Sequence, residues 1–367
     1  MGFFSKKSAG ILGIDVGASA VKLVELMREQ GRARLRTYGF TERKESGSTS
    51  DPRIETQTMG AMIRELKRQS GAQSTTVIAS LPTFSVFSSI ITLPEMPKKE
   101  LPNAIRWEAK KLVPVPLEEM MLNWEVLPDS FLAEKAVTPV PKTTDAVTAS
   151  PVIVSSEKKK SIAVLITAAQ KKLVEQYVGI FKAAGLTLQS LETEAFAIVR
   201  SLVGGDRSTI MIVDIGARNT DISIIDAGVP VLNRSMEFGG NTFTDAIVGT
   251  TKLPWNQAEQ LKRDVSRTGA PDMIKALESL FAPLTNEVHY TLGLYQTRNG
   301  SRIEKIILTG GSGLLFNLAQ YMTSRFNITV TVGDPWARVA TPIDLSPVLS
   351  DIGSRMSVAV GLAMRGI

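Results

Sequence analysis

The 367-residue chain contains no cysteine and a single histidine. Without thiols it can form neither a disulfide nor a thiolate metal site, which suits a reducing compartment. One histidine cannot make a multi-histidine zinc centre, and a Ser-His-Asp triad would have to be centred on His289. That residue flanks an apolar stripe (Leu277, Leu280, Phe281, Leu284, Val288, Leu292), so the spacing predicts a histidine packed on a helix. Long hydrophobic runs are also missing: no stretch approaches the roughly 18 apolar residues needed to span a bilayer. The opening Met1-Gly-Phe-Phe-Ser-Lys-Lys has no signal-peptide core, and Lys6 breaks the myristoylation pattern. These absences predict a soluble, cytoplasmic protein.

Charge is close to balanced. The 42 Lys and Arg residues against 36 Asp and Glu leave a net +6. Short basic runs at Lys6-Lys7, Lys98-Lys99, Lys110-Lys111 and Lys158-Lys160 are not interleaved with aromatics, so no nucleic-acid stripe is expected. A mildly basic surface is compatible with the neighbourhood of an anionic membrane. Hydrophobic residues make up 43%, enough for one or two sizeable cores.

What the chain does contain is one motif twice. Ile11-Leu-Gly-Ile-Asp15-Val-Gly17-Ala-Ser19 returns as Ile210-Met-Ile-Val-Asp214-Ile-Gly216-Ala-Arg218, an offset of 199 residues. Each copy reads as strand, tight turn, strand, with Asp and Gly at the tip. Glycine lets the backbone approach a ligand, and successive turn amides form a nest for anionic oxygens. An aspartate there would repel phosphate directly, so its chemistry is to hold Mg²⁺ through water, with Asp15 and Asp214 as the two holders. Two such hairpins can grip a nucleotide triphosphate from both sides. A third glycine cluster, Gly310-Gly311-Ser312-Gly313, follows an apolar strand and is expected to open a helix carrying Leu314, Leu315, Leu318, Tyr321 and Met322. It is neither a P-loop nor a dinucleotide fingerprint.

The pattern divides the chain into a flexible 1–9, a first-lobe core at 10–75 and 161–203, and an inserted subdomain at 76–160. A mobile loop is expected over 128–160. A second lobe spans 204–350 with a nucleotide-base subdomain near 250–300, and a helix at 351–367 returns to the first lobe. Residues 41–57 read as loop. In the insertion, a helix over about 99–112 turns Ile105, Ala109 and Leu112 inward, and Phe84, Phe87, Ile90, Trp107 and Trp124 form an aromatic-rich set.

Asp15-x-Gly17, Asp214-x-Gly216 and Thr309-Gly-Gly311-Ser312, in that order, resemble the two phosphate motifs and the adenosine motif of the actin-like ATPase superfamily. Gly13–Leu26, Glu192–Arg200, Gly239–Ile247 and Val360–Gly366 are similar to the PilM family of type IV pilus assembly within it. The resemblance covers nearly the whole chain. It implies an α/β fold of ribonuclease H-like duplicated lobes, with a small α+β insertion in the first. It further implies Ser19 and Lys22 at the first hairpin, Arg218, Asn219 and Thr220 at the second, and Gly239, Gly240 and Asn241 on the ribose-phosphate side. Lys262 would pack the adenine, and Gly310, Gly311 and Ser312 would complete the base site. Glu192 and Glu194 are the candidates for positioning a water.

The implied function is an ATP- and Mg²⁺-binding scaffold with slow or no hydrolysis. It would act at the inner face of the inner membrane, held there through partners. Those partners would be other pilus assembly proteins and the cytoplasmic N-terminal peptide of a PilN-like inner-membrane protein. The peptide would dock between the first lobe and the insertion. A filament former resembling FtsA and a small-molecule kinase are the alternatives on the same fold.

Overall fold

The computed structural model describes residues 10–43, 52–129, 131, 160–268, 279–299, 302–315 and 317–367. The calls on residues 1–9 and on most of 128–160 fall outside them.

The duplicated motif builds two sheets of the same plan. In the first, β1 (Ile11–Val16), β2 (Ala20–Glu29) and β3 (Arg32–Glu42) form an antiparallel meander. The second repeats it with β9 (Ile210–Ile215), β10 (Thr220–Asp226) and β11 (Val229–Met236). The turns match as well. Gln30-Gly31 and Ala227-Gly228 both carry two successive left-handed residues, as a tight primed hairpin turn requires. Each meander is then extended by parallel strands: β4 (Thr76–Leu81) and β8 (Thr187–Thr193) beside β1, and β12 (Lys305–Thr309) and β13 (Thr329–Val332) beside β9. A two-residue strand β14 (Val339–Ala340) completes the first sheet on its β3 edge.

Helices cover both faces of the first sheet. On one side lie α1 (Pro52–Ser70) and α3 (Lys171–Ala183), burying Ile63, Leu66, Ile180 and Phe181 against Leu12, Leu23 and Val77. On the other lies α9 (Ser346–Met364), whose Met356, Ala359 and Val360 pack on Val24 and Leu26. The short α4 (Glu194–Ile198) leads from β8 toward β9, and its Ala197 and Ile198 join a core shared by both sheets. On the second sheet, α5 (Gly240–Thr251), α6 (Trp255–Thr268), α7 (Ala282–Asn299) and α8 (Leu318–Phe326) gather around Phe243, Phe281, Leu284 and Tyr295.

The inserted subdomain differs at both edges from the 76–160 expectation. Thr76–Leu81 is hydrogen-bonded into the first sheet, whereas β7 (Ser161–Gln170) is the middle strand of a separate sheet. That sheet places β5 (Val86–Pro94) and β6 (Met120–Val126) on either side of β7, backed by α2 (Leu101–Leu112). A bare apolar strand cannot signal which sheet it joins, because pairing partners are distant in sequence. Ile105 and Ala109 are buried as expected, but Leu112, at the helix's last turn, is exposed.

Four other differences are local. Residues 52–57 are helical rather than loop. The chain returns to the first sheet by Val339, ahead of residue 351, and α9 begins at Ser346, where Pro347 suits the first turn. After the 310–313 turn the helix starts only at Leu318. His289 is exposed, because Leu284, Val288, Leu292 and Tyr295 set the buried stripe and the next position is rotated off it.

Candidate functional site

Both Asp-Gly hairpins close in the same way: the Gly17 amide donates to the Ala20 carbonyl at 3.0 Å, and that of Gly216 to the Asn219 carbonyl at 2.9 Å. Their tips face one cleft between the two sheets. The repeat brings Asp15 opposite Lys22 in one register and Asp214 opposite Asp221 in the other. The two copies therefore differ in charge. Lys22 donates to Asp15 Oδ2 at 2.7 Å, and Ser80 to Asp15 Oδ1 at 3.2 Å. Burial works to lower the Lys22 pKa, but the charge and hydrogen bond of Asp15, with Asp214 beyond, hold it above the usual value.

Across the cleft two carboxylates meet. Burial, then the charges of Asp221 and Asp15, push Asp214 up to about 7 against the pull of Lys22. Burial raises Asp221 to about 6, with the Ser235 hydroxyl acting the other way, and Asp221 Oδ1 is buried without a hydrogen bond. Glu194, at the start of α4, is raised too, by burial and then by Asp15, Asp221 and Asp214. This concentration of half-suppressed negative charge suits a bound cation. No three acidic or histidine side chains among the described residues come together to hold a metal directly.

The third glycine cluster lies against the second hairpin. Gly310 is left-handed at φ 83°, and a Cβ there would run into Asp214 and the Ile215 carbonyl. The Ser312 amide donates to the Ile215 carbonyl at 3.2 Å. Helix α9 fixes the turn, with Ser354 O accepting from the Gly310 amide at 3.1 Å and Ser354 Oγ donating to the Gly310 carbonyl at 2.9 Å. The start of α5 is tied to the same hairpin, since the Gly240 amide donates to the Gly216 carbonyl at 2.9 Å. A Cβ on Gly240 would lie 2.5 Å from Ser312 Oγ. Lys262 donates to Gly240 O and Thr244 Oγ1, each at 2.9 Å, and to Glu259 Oε2 at 2.6 Å. Burial lowers its pKa despite Glu259.

The fold thus gathers Asp15, Gly17, Ser19 and Lys22 with Asp214, Gly216, Arg218 and Asn219 around one cleft. Gly240, Asn241, Lys262, Gly310, Gly311, Ser312 and Glu194 line it as well. Three expected residues are elsewhere. Thr220 is fully buried and its hydroxyl donates to the Phe238 carbonyl at 2.7 Å. Gly239 caps α5 from behind the hairpin, against the Ala217 and Arg218 backbone. Glu192 accepts from Arg200 at 2.7 Å and lies 3.2 Å from Arg365, outside the cleft.

Other cleft residues escape a sequence reading. Asp221 could have been found, because it occupies the repeat position of Lys22. Arg355 of α9, whose guanidinium lies 4.8 Å from the centre of the Phe40 ring, carries no local signal. Neither does Arg263 of α6, which bridges the cleft to Glu42 of β3 at 3.0 Å.

Past Glu194 and Tyr177 the cleft turns apolar. It continues as a groove between α1, α3 and the 3₁₀ turn Thr83–Ser85, lined by Ile54, Met62, Leu173 and Phe84. Phe84 is 65% exposed and Ile54 53%. The other members of the aromatic-rich set lie elsewhere: Phe87 packs under α2, Ile90 against β11, and Trp107 and Trp124 are exposed outside the groove.

A family model described as Type IV pilus assembly protein PilM matches residues 13–140 and 133–367. Among solved structures, a PilM-PilN type IV pilus biogenesis complex aligns with a TM-score of 0.77 and 26% identity, covering 97% of this chain and 98% of that one. The ethanolamine utilization protein EutJ from Carboxydothermus hydrogenoformans shares the fold, with a TM-score of 0.56 and 15% identity over 96% of this chain and 88% of that one. No helix among the described residues is long and apolar enough to cross a membrane. Two lobes of one plan, each with its Asp-Gly hairpin, and a small sheet inserted in the first make up the actin-like ATPase fold, and the chain belongs to the PilM family of type IV pilus assembly proteins.

Proposed function

We propose that the cleft binds ATP with Mg²⁺ and that the apolar groove takes the cytoplasmic N-terminal peptide of a PilN-like inner-membrane protein. The chain would then be a nucleotide-dependent scaffold at the inner face of the inner membrane. The observation that carries this reading is the continuity of the two compartments. Three glycine-bearing backbone segments line one large cleft beside acidic side chains, and the lining of the same cleft includes the apolar groove.

The residues present fit the nucleotide. Gly17, Gly216 and Gly240 line the cleft with backbone that phosphate oxygens can approach, with Lys22 and Arg218 as cations at the two hairpins. Asp214, with Asp15 across from it, would hold Mg²⁺ through water, the cation supplying the positive charge that lets carboxylates and phosphates share the site. Gly311, Ser312 and Lys262 line the side where the base would lie. Glu194 Oε2 accepts from the Thr83 amide and hydroxyl, so hydrolysis by the isolated protein should be slow.

The test is thermal denaturation with ATP, with and without Mg²⁺, together with titration of a labelled PilN-type N-terminal peptide. A Mg²⁺-dependent rise in melting temperature and a saturable peptide signal support the reading. No shift under any nucleotide condition overturns the nucleotide site. Steady phosphate release on the order of 1 s⁻¹ or more would instead favour a kinase-type enzyme.

A further inference from the structure

The two compartments meet at one side chain. Glu194 lines the cleft within the field of Asp15, Asp214 and Asp221, and its Oε2 accepts two hydrogen bonds from Thr83: the amide at 3.0 Å and the hydroxyl at 3.2 Å. Thr83 opens the 3₁₀ turn Thr83–Ser85, the only covalent link from β4 of the first sheet into β5 of the insertion. The next residue on that turn, Phe84, projects into the apolar groove. Thr83 also shares a narrow crevice with Asp214, Asp221 and Ser223 of the second hairpin. One turn therefore touches the acidic end of the cleft through its first residue and the groove through its second.

The insertion can respond to that turn. Its inner face, Ile90, Leu127, Ala163 and Leu165, packs on Ala227, Val229 and Val231 of the second lobe and on Phe196 of α4. Its orientation is thus held by both lobes. Glu194 and Thr83 both border the acidic end of the cleft and are hydrogen-bonded to each other, so a ligand that fills that end bears on the turn that carries Phe84.

We propose that Glu194 is the positioning residue that couples the nucleotide end of the cleft to the peptide groove, acting through Thr83 on the turn that presents Phe84. This deepens the function proposed above and rests on it. Occupancy of the acidic end by Mg²⁺-nucleotide strengthens the Glu194–Thr83 clamp, sets the turn and tightens the groove on its peptide. Linkage makes the effect reciprocal: the peptide must raise the affinity for Mg-ATP by the factor by which Mg-ATP raises that for the peptide.

The experiment uses the full chain and a fluorescently labelled synthetic N-terminal peptide of the PilN-type partner. The peptide Kd is measured with and without Mg-ATP for the parent, Thr83→Val, Thr83→Ser and Glu194→Gln. In the parent the ratio of the two values should lie in the roughly 5- to 150-fold range usual for coupled sites. Thr83→Val keeps the side-chain shape and removes the hydroxyl donor, so the ratio should fall several-fold. Thr83→Ser should restore it, and Glu194→Gln should bring it to near one. A merely structural role would weaken the peptide at every nucleotide level and leave the ratio unchanged. An unchanged ratio in both Thr83→Val and Glu194→Gln overturns the proposal. Should Thr83→Val fold poorly, the Glu194→Gln ratio decides. A parent that binds peptide and ATP with a ratio of one also overturns it, leaving the partner reading intact; a parent that binds neither overturns both.

Discussion

At Asp221 the second hairpin carries a carboxylate where the first carries Lys22, and this exchange leaves the negative charge of the cleft on the side of the second lobe. Asp214 stands at its centre. Its side chain borders open space, so Asp214→Ala should leave circular dichroism unchanged and weaken Mg-ATP by at least about tenfold, on the order of 1.4 kcal/mol. Unchanged ATP affinity in a folded variant would contradict the role. The same residue gives the ligand-free protein a pH dependence. An aspartate near 3.9 when unfolded is held at about 7 in the fold, and Asp221 at about 6. The folded state thus binds more protons between these values, and its stability falls as pH rises from about 4 through 7. The Tm of the ligand-free parent should fall by roughly 2–4 °C more than that of Asp214→Asn between pH 5 and 8, equivalent to about 2–3 kcal/mol. Parallel melting curves for the two proteins would remove the electrostatic account.

Among the elements, α9 makes the tightest backbone contacts of the first lobe and holds a turn of the second. Gly13 of β1 abuts Ala359 and Ala363 of α9, while Gly361 of α9 abuts the Ala197 carbonyl of α4, so a Cβ at either glycine has no room. The helix also holds the 310–313 turn through Ser354 and, with Ser357 and Ser354 O, the Thr309 hydroxyl. Gly361→Val should therefore lower stability by roughly 1–3 kcal/mol, read by urea denaturation, because the added carbons meet backbone that cannot retreat. Gly240→Ala is a different test. Its Cβ would press on Ser312 Oγ at 2.5 Å and sit 3.3 Å from Lys262 Nζ, on the cleft side of α5. Nucleotide affinity should fall by about tenfold or more while the melting temperature without nucleotide changes little. The reverse outcome would place Gly240 in the packing and not in the site.

For the molecule as a whole, the insertion is the part that can be removed. Val86 pairs with Ala169, so the chain enters and leaves the inserted sheet through adjacent residues. Replacing residues 86–169 by a short glycine linker should keep the first sheet intact, since β4 and β8 remain paired. The shortened protein should retain its Mg-ATP thermal shift and lose peptide capture. Capture that persists in the folded protein would place the whole docking surface on α1, α3 and the Thr83–Ser85 turn, which this deletion leaves in place, with no part for the inserted sheet. A cut at 76–165 would instead remove β4 from between β1 and β8 of the first sheet and test nothing but folding.

The local sequence determined what depends on neighbours in the chain. The Asp-Gly hairpins, the two-residue left-handed turns, the apolar strands and the amphipathic helices follow from turn chemistry and periodicity, and the 199-residue repeat already implied paired lobes facing one ligand. Only the tertiary structure decided which distant strands pair, and so that Thr76–Leu81 belongs to the first sheet and Ser161–Gln170 to the insertion. It likewise turned Thr220 into the core and drew Glu192 away to Arg200 and Arg365. It also brought Arg355, Arg263 and Thr83 to the cleft or its edge from separate elements. The physical reason is range: backbone propensities act over a few residues, whereas packing and buried charge act between residues that only folding makes neighbours.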